Sequence, residues 1–233
     1  MMSRGRCLFI TGTDTGAGKT TLTALLLHHL RAAGTSTLAV KLICTGPRTD
    51  IRLLQILQRG ELTDDEMNPF WYQTPAAPIT AACGSRTKPT LARLKKAIDR
   101  VRKQCDLLLI EGAGGLMVPL AKDLTWEDLL QSLGCPILVA ANNKLGVINH
   151  TLLTVKRLQS IGAERLGVCL MNQRPIRGGE KARRANFGVL RKNCMETPVF
   201  EMPFLGVKPL DLERIQASGK KIKKVLVQIL KMV

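Results

Sequence analysis

The sequence predicts an α/β fold, a single domain built on a doubly wound, mainly parallel sheet with helices on both faces. Strand-like apolar runs alternate with helical patterns from one end of the 233 residues to the other, which is typical of such sheets. Two runs, 107–110 and 137–140, are unbroken apolar stretches, as expected for strands that are covered on both sides. The alternation contains no repeat, low-complexity tract or linker, so residues 1–233 are predicted to form one domain.

Six strands are predicted, each of them a short apolar run: 6–11, 37–41, 106–111, 136–141, 166–171 and 198–202. Seven helices are predicted where apolar residues recur three and four positions apart: 19–33, 49–59, 90–104, 125–132, 148–161, 180–192 and 219–231. The segment 69–89 contains four prolines and is predicted to be a long ordered excursion within the domain, not a domain boundary.

The loop between the first strand and the first helix reads TGTDTGAGKTT at 11–21. A strand, a glycine-rich loop and a helix in this order bring backbone N–H groups and a helix N-terminus together around an anion. Lys19 can then reach the outer phosphates, and the Thr20 hydroxyl can hold Mg²⁺. The loop therefore predicts a P-loop NTPase fold that binds a nucleoside triphosphate. The residues predicted to line the nucleotide here are Thr13, Asp14, Thr15, Gly16, Ala17, Gly18, Lys19, Thr20 and Thr21.

Polar residues end two other predicted strands, at the sheet edge where doubly wound folds bind their ligands. Lys41 ends the second strand, and Glu111 ends the strand at 106–111 and precedes the glycine-rich run 112–115. A carboxylate at a buried strand tip commonly faces Mg²⁺, although a helix cap or an ion pair would also explain Glu111. Asp50 begins the helix after the Lys41 loop, so it is either a second metal carboxylate or a favourable charge at a helix N-terminus.

The net charge of +17 is compatible with nucleic acid or an acidic membrane surface as a partner, and also with an enzyme that binds an anionic nucleotide. The basic residues are spread over the chain, and the one aromatic cluster, 70–72, is not interleaved with Lys or Arg as a base-stacking surface would be. We therefore expect neither a nucleic-acid nor a membrane partner.

No apolar stretch approaches the ~18 residues that span a bilayer, and no signal peptide is recognisable, so a soluble, cytoplasmic protein is expected. The seven cysteines are odd in number and widely spread, and they form no CxxC pair, which argues against a disulfide framework and a zinc site.

Several segments together resemble the dethiobiotin synthetase family. They occur in the family's order: 11–20, Lys41 with 45–46, 68–69 with Pro75 and Pro78, 111–115 with 118–119, 144–150, Asn172 and Pro203. The first segment alone would be generic, but GTDT joined to EGAGG and KLGVINH is specific to this family.

The resemblance implies an ATP-dependent ring closure with Mg²⁺ as cofactor. In this reaction 7,8-diaminopelargonic acid takes up CO2 on one amine, ATP phosphorylates the carbamate, and the second amine closes the ring and expels phosphate. By position, the metal ligands would be Thr20, Asp50 and Glu111. Lys19 and Lys41 would flank the carbamate and the γ-phosphate, with the hydroxyls of Thr15 and Thr45 as donors. Asn172 would read the adenine edge, with the backbone near Pro203 completing that pocket.

The resemblance also implies a substrate site shared between two subunits of a homodimer. The residues of one subunit that would contact the diamine are Lys41, Thr45, Gly112, Ala113 and Gly114. The helix that begins at Gly146–Asn149 of the neighbouring subunit would hold the substrate carboxylate with Gly146, Val147, Ile148 and Asn149. His150 is expected to be structural, not a catalytic base.

Three positions depart from the family pattern. Leu42 replaces a proline after the strand-two lysine, Gln173 replaces an aspartate after the adenine-reading Asn172, and Phe187 aligns with a tyrosine that reaches the substrate carboxylate in some members. These changes affect substrate contacts and leave the phosphate and metal residues in place. If Cys44 borders the carbamate loop, sensitivity to thiol alkylation is expected.

Three other functions are each compatible with part of the sequence. Partition and septum-placement ATPases share this fold, and a C-terminal helix with an apolar stripe (Ile222, Val225, Leu226, Ile229 and Leu230) beside lysines 220, 221, 223 and 224 would suit a membrane surface. Their signature lysine, however, is replaced here by Asp14. Related amidotransferase ligases carry a further glutaminase domain, which 233 residues do not accommodate. A catalytically silent homologue would not be expected to retain Lys19, Lys41 and Glu111.

Overall fold

The computed structural model of the chain describes residues 5–176, 178, 180–207 and 210–233, and at Lys220 only the backbone. Within this part the strands are β1 (Arg6–Gly12), β2 (Thr37–Lys41), β3 (Ile43–Thr45), β4 (Phe70–Tyr72), β5 (Leu107–Glu111), β6 (Ile137–Asn142), β7 (Leu166–Met171) and β8 (Val199–Met202). Six of them form one parallel sheet in the order β2-β5-β1-β6-β7-β8. The short strands β3 and β4 pair separately, also in parallel.

Helices connect the strands and cover the sheet. They are α1 (Lys19–Ala32), α2 (Thr49–Leu57), α3 (Asp64–Met67), α4 (Pro78–Ala81), α5 (Leu91–Arg102), α6 (Trp126–Leu133), α7 (Val147–Ser160), α8 (Lys181–Asn193) and α9 (Leu212–Leu230). With right-handed crossovers, α1 packs against α2 and α9 on one face, while α5 packs against α6, and α7 against α8, on the other. Every residue of β2 and β5 is buried as a result, which explains why these strands tolerate no alternation of polar residues.

The predicted α/β fold is confirmed. All six predicted strands are present with bounds that differ by no more than one residue, and the first six predicted helices differ by no more than two. The unpredicted elements β3, β4, α3 and α4 contain three or four residues each, too few for a hydrophobic period to show in the sequence.

The start of the last helix was predicted wrongly, at 219 instead of Leu212. Ser218 and Gly219 disfavour helix, so the sequence pattern suggests a start after them. In the structure Ser218 is buried within the helix, and the Asp211 side chain caps its first turn by accepting a hydrogen bond from the Glu213 N–H at 3.0 Å. Tertiary packing and this cap together outweigh the local preference.

The apolar stripe of α9 closes the core against α1. Ile222, Leu226 and Ile229 are fully buried, and Val225 and Leu230 are partly buried against the same cluster. The side chains of lysines 221, 223 and 224 are exposed, and the side chain of Lys220 lies outside the described residues. The stripe is therefore not a free surface for a membrane. No helix in the described ranges is long and apolar enough to cross a bilayer.

The segment 69–89 is an ordered excursion, as predicted. Its strand β4 pairs with β3, and the Trp71 indole N–H donates to the Gly46 carbonyl at 2.9 Å. The Tyr72 hydroxyl donates to the Thr87 carbonyl at 2.8 Å, which secures the far end of the segment. These contacts hold the segment against the loop that follows β2.

The carboxyl ends of the parallel strands meet at one edge of the sheet. In the ladder between β2 and β5, Lys41 lies directly opposite Glu111, and Ile10 of β1 lies opposite Glu111 on the other side. The loop that follows β1 and leads into α1 therefore sits beside a cation and a carboxylate from two neighbouring strands.

Candidate active site

A cleft of about 720 Å³ opens at this edge of the sheet. Its floor is the loop between β1 and α1, and its walls are the loops after β2, β5, β7 and β8. Residues 75–78, at the end of the excursion, close one side. Predicted site residues that line the cleft are Thr15, Gly16, Gly18, Lys19, Thr20, Thr21, Lys41, Thr45, Asp50, Ala113, Gly114, Asn172 and Pro203.

The loop between β1 and α1 has the compact shape that its glycines permit. A Cβ atom on Gly12 would lie 3.0 Å from Lys19 Nζ and 3.2 Å from the Ala17 Cβ, so the lysine side chain occupies the space that Gly12 leaves open. Gly16 and Gly18 have φ values of 69° and 99°, which are strained for other residues. Gly18 immediately precedes α1, so the helix N-terminus faces the cleft.

Lys19 is held by the loop itself. Its ammonium group donates to the Asp14 backbone carbonyl at 2.9 Å. Burial lowers the pKa of Lys19 to about 8, and the nearby Glu111 carboxylate opposes part of that shift. A desolvated cation with a single neutral partner is well suited to bind an incoming anion, because a phosphate would replace the weaker carbonyl contact.

Thr20, Asp50 and Glu111 converge as predicted. The Thr20 hydroxyl lies 2.7 Å from Glu111 Oε1 and 3.1 Å from Asp50 Oδ2. Glu111 is fully buried, and its Oε2 atom has no hydrogen-bond partner among the described residues. Two carboxylates and a hydroxyl, with one buried oxygen unsatisfied, fit the hard oxygen ligands that Mg²⁺ takes together with phosphate and water. Asp50 thus does more than sit favourably at a helix N-terminus.

Lys41 lies between the two carboxylates. Its ammonium group is 2.9 Å from Glu111 Oε1 and also forms a very short ion pair with Asp50 Oδ2. Burial alone would lower the pKa of Lys41, but the Glu111 and Asp50 carboxylates raise it above its ordinary value. Lys41 is therefore held as a cation between the two carboxylates.

The loop after β5 is attached to α6. The Trp126 indole N–H donates to the Ala113 carbonyl at 2.8 Å, and the Trp126 ring packs on Phe9 with centroids 5.5 Å apart. A Cβ atom on Gly112 would lie 3.2 Å from the Phe9 ring, so Gly112 makes room for this packing. Gly112 does not line the cleft, whereas Ala113 and Gly114 do.

The far end of the cleft is largely apolar. Met171, Met202, Phe204 and Leu205 line it, together with the predicted residue Pro203. Asn172 is 8% exposed there, and its side-chain amide is hydrogen-bonded to neighbouring residues of the chain. The sequence offered no signal for the two methionines or for the wall at 76–77, because these side chains carry no chemistry of their own.

Gln173, one of the departures from the family pattern, contacts the loop between β1 and α1, residues 13–18, which is named here the phosphate loop. Its Nε2 donates to the Gly16 carbonyl at 2.6 Å, and its Oε1 accepts from the Asn142 side chain at 3.2 Å. The end of β7 is thereby connected to the loop after β1. Phe187, another departure, lies on α8, partly buried against the core, and does not line the cleft.

Some predicted site residues do not line the cleft. Ala17 is buried in the core, and Thr13 donates its backbone N–H to the Ala140 carbonyl at 3.0 Å. Asp14 is exposed and lies 3.5 Å from Lys144, with its carboxylate also accepting from the Thr15 N–H. Glu111 is fully buried and does not line the cleft. The segment Gly146, Val147, Ile148 and Asn149 starts α7 outside the cleft.

Cys44 lines the cleft, but it is buried, and burial raises the pKa of its thiol. The simple expectation of alkylation sensitivity is therefore refined: modification at neutral pH will be slow, because the thiolate is the nucleophile, and it will accelerate as pH rises. Peptide mapping after iodoacetamide treatment at pH 7 and 9 would measure this. The exposed Cys83 is the internal control and will react first. Equal rates for the two thiols at pH 7 would contradict the prediction.

Comparison with known proteins points to one family. A family model described as an AAA domain matches residues 6–205. The chain is 35% identical over 167 residues to the ATP-dependent dethiobiotin synthetase of Akkermansia muciniphila, covering 72% of this chain and 78% of the relative. It is 30% identical over 209 residues to the enzyme of the same name from Bacillus velezensis, covering 88% and 86%.

Solved structures agree with the fold. The MinC:MinD cell division protein complex of Aquifex aeolicus superimposes with a TM-score of 0.62 at 14% identity, covering 97% of this chain and 95% of that one. Chloroplast FtsY from Physcomitrella patens superimposes with a TM-score of 0.51 at 18% identity, covering 92% of this chain and 65% of that one. These likenesses show the fold alone, whereas the sequence relatives show the family. The chain belongs to the dethiobiotin synthetase family.

Proposed function

We propose that the chain uses ATP to convert 7,8-diaminopelargonic acid and CO2 into dethiobiotin through a phosphorylated carbamate. The observation that carries this proposal is the cluster at the strand ends, where Lys41 is ion-paired with Glu111 and Asp50 beside Thr20 and the phosphate loop. The cluster agrees with the family to which the chain belongs. We further propose that residues 1–233 act as a single catalytic domain.

The chemistry needs charge neutralisation and positioning more than it needs a protein nucleophile. One amine of the diamine adds to CO2 and loses a proton to give a carbamate anion. A carbamate oxygen attacks the γ-phosphorus, and the bond to ADP breaks. The second amine then attacks the carbamoyl carbon, and phosphate leaves as the ring closes and the amine loses a proton. The transfer of the phosphoryl group to the carbamate and the later release of phosphate both concentrate negative charge where Lys19 and Lys41 can neutralise it.

Lys41 is suited to its proposed role because its position is fixed. The two carboxylates hold its ammonium group in place before any ligand arrives, so little reorganisation is needed when charge develops. Thr15 and Thr45 line the same cleft and are proposed as hydroxyl donors to the phosphate and the carbamate.

Magnesium is proposed to bind at Thr20, Asp50 and Glu111. When bound there, the ion would supply positive charge to the phosphate oxygens. Glu111 Oε2 is the oxygen that lacks a partner, and no other described group competes for it. Lys41 contacts the same two carboxylates and offsets part of their negative charge.

We propose a homodimer in which Gly146–Asn149 of one subunit complete the diamine site of the other. In the single chain this segment lies outside the cleft, yet Leu145 is 93% exposed and Leu153, one turn beyond Asn149, is 61% exposed. These exposed apolar side chains support the proposal, because contact with a second subunit would remove them from water. Ile148 and Val147 would be positioned by the same contact.

Leu145→Lys is expected to weaken this dimer, because it would place a charge in the apolar contact. Sedimentation equilibrium would show a shift toward monomer, and turnover would fall with dilution of the protein. Ile56→Lys, at an exposed isoleucine on α2 that does not line the cleft, is the matched control and should leave the association unchanged. A variant that dimerises like the wild type would contradict the proposed interface.

A partition or septum-placement function is not favoured by these observations. The MinD likeness concerns the fold, Asp14 stands in place of the signature lysine, and the apolar stripe of α9 is buried against α1. The net charge of +17 does not by itself favour a partition or septum-placement function, because net charge bears on solubility and non-specific association and not on the fold or the reaction.

The test is to incubate the purified chain with Mg-ATP, bicarbonate and 7,8-diaminopelargonic acid, then to measure dethiobiotin by mass spectrometry and ADP in parallel. Product that requires all three components would establish the activity. Nucleotide binding without dethiobiotin would contradict it and would point to a related ATP-dependent ligase with another substrate.

A further inference from the structure

A buried hydrogen-bond network lies behind Asn172, at the far end of the cleft. Its members are Asn143, directly after β6, and Arg183 and Asn186 of α8, which are exposed by 1%, 5% and 7% respectively. Four polar residues buried together are costly unless their hydrogen bonds are satisfied, so their arrangement must be well defined. The sequence motifs account for none of the three residues behind Asn172.

Hydrogen bonds with α8 fix which end of the Asn143 side-chain amide donates and which end accepts. The Asn186 side-chain N–H donates to Asn143 Oδ1 at 2.8 Å, and Asn143 Nδ2 donates to the Arg183 carbonyl at 3.1 Å. The Arg183 guanidinium also donates to the backbone carbonyl of Asn143 at 2.8 Å. Both ends of the Asn143 side-chain amide therefore have assigned partners, and rotating that amide by 180° would set its nitrogen against the Asn186 donor and its oxygen against two acceptors.

Asn143 sets the orientation of Asn172 together with Glu201 and Met202. Asn143 Nδ2 donates to Asn172 Oδ1 at 2.7 Å, while Asn172 Nδ2 donates to Glu201 Oε1 at 3.0 Å and to the Met202 carbonyl at 3.1 Å. An amide nitrogen has two hydrogens and an amide oxygen has two acceptor positions. The nitrogen of Asn172 is thus fully used, and only one acceptor position on its oxygen is left for a ligand.

We propose that Asn143 is a specificity-determining positioning residue that, with the Glu201 and Met202 acceptors, presents Asn172 as an acceptor toward the base. This inference rests on the proposed binding of a nucleotide in the cleft, with the base against Asn172. A 6-amino purine can donate its exocyclic N–H to the remaining acceptor position. A 6-oxo purine presents a carbonyl oxygen at the same place, so two acceptors would face each other. The network would therefore select the amino form and reject the oxo form.

ADP and IDP differ in this one substituent, so the ratio of their dissociation constants measures the selection directly. Titration of the full chain with Mg-ADP and Mg-IDP is expected to show about tenfold tighter binding of ADP. In Asn143→Asp a carboxylate oxygen replaces the donor and opposes Asn172 Oδ1, which favours rotation of the Asn172 amide against its Glu201 and Met202 acceptors, so the ratio should fall toward one. Asn143→Ala removes the donor without adding an opposing acceptor, so a smaller fall in the ratio is expected.

Asn193→Ala, at an exposed asparagine on α8, is the matched control and should keep the wild-type ratio. If neither Asn143 variant folds, Asn186→Ala removes one of the groups that hold the Asn143 amide, and a smaller fall in the ratio is expected. A purely structural role would weaken ADP and IDP alike and leave the ratio unchanged, which would overturn the proposal. Equal binding of the two nucleotides by the wild type would overturn it as well.

These titrations need no diamine and no turnover. A chain that discriminates ADP from IDP and makes no dethiobiotin would contradict the proposed reaction while supporting the role of Asn143. A chain that makes dethiobiotin and binds both nucleotides equally would do the reverse.

Discussion

Replacing Lys41 by alanine will abolish turnover and leave nucleotide binding largely intact. Lys41 is 8% exposed and paired with Asp50 and Glu111, so its charge is fixed where the γ-phosphate and the carbamate are proposed to meet. Removing one such preorganised group typically lowers kcat by about 10²–10³-fold, and the loss here should reach the upper end because the charge is buried. The nucleotide keeps the loop after β1 and Lys19 as its main contacts.

The measurements for this variant are kcat at saturating substrates and the dissociation constant of ADP. Lys95→Ala, at an exposed lysine on α5, is the control and should behave as the wild type. Normal turnover at saturation together with weakened nucleotide affinity would contradict the role assigned to Lys41. Thermal unfolding should be measured as well, because the two carboxylates lose their internal cation in this variant. We expect Mg²⁺ to raise the unfolding temperature of the variant more than that of the wild type.

Glu111→Gln will raise the Mg²⁺ concentration needed for half-maximal activity and lower kcat at ordinary Mg²⁺. The substitution keeps the shape of a fully buried side chain and an oxygen for Thr20, but it removes the charge that faces Lys41 and the proposed metal. Loss of a charged metal ligand should cost more than the 10–100-fold in metal affinity typical of a supporting residue. Excess Mg²⁺ should restore part of the activity.

Activity measured across a Mg²⁺ titration tests this expectation. Glu127→Gln is a matched control, because Glu127 is also buried and ion-paired, with Arg157, but lies away from the cleft. The control should show an unchanged Mg²⁺ requirement. An identical response of both variants would mean that Glu111 stabilises the sheet without binding the metal.

The sheet and the central cluster of the site were predictable from the sequence for a physical reason. Parallel strands buried on both faces must be continuously apolar, and polar residues are tolerated only where such strands end. The charges of Lys41 and Glu111 therefore stand out against their apolar neighbours, and the pairing of their strands brings them together. Asp50 could be placed near them only because its helix follows so soon after β2.

The remainder depends on long-range contacts that leave no local pattern. The role of Gln173 at Gly16 joins residues 157 positions apart, and the contact between Asn143 and Asn186 depends on how α8 packs. Gly112 belongs to a glycine run typical of substrate loops, yet its place is explained by the Phe9 and Trp126 rings. A sequence motif indicates which residue types are available, but neighbours from distant segments decide which of them face the cleft.

The position of β1 inside the sheet, between β5 and β6, affects how the chain folds while it is being synthesised. The strand Arg6–Gly12 is synthesised before both of its neighbours, β5 and β6, which lie 95 or more residues further along. The nascent chain must therefore carry an apolar segment without its partners until residues beyond 142 have been synthesised. Folding then depends on contacts between distant segments, which slows it and exposes the early strand to aggregation.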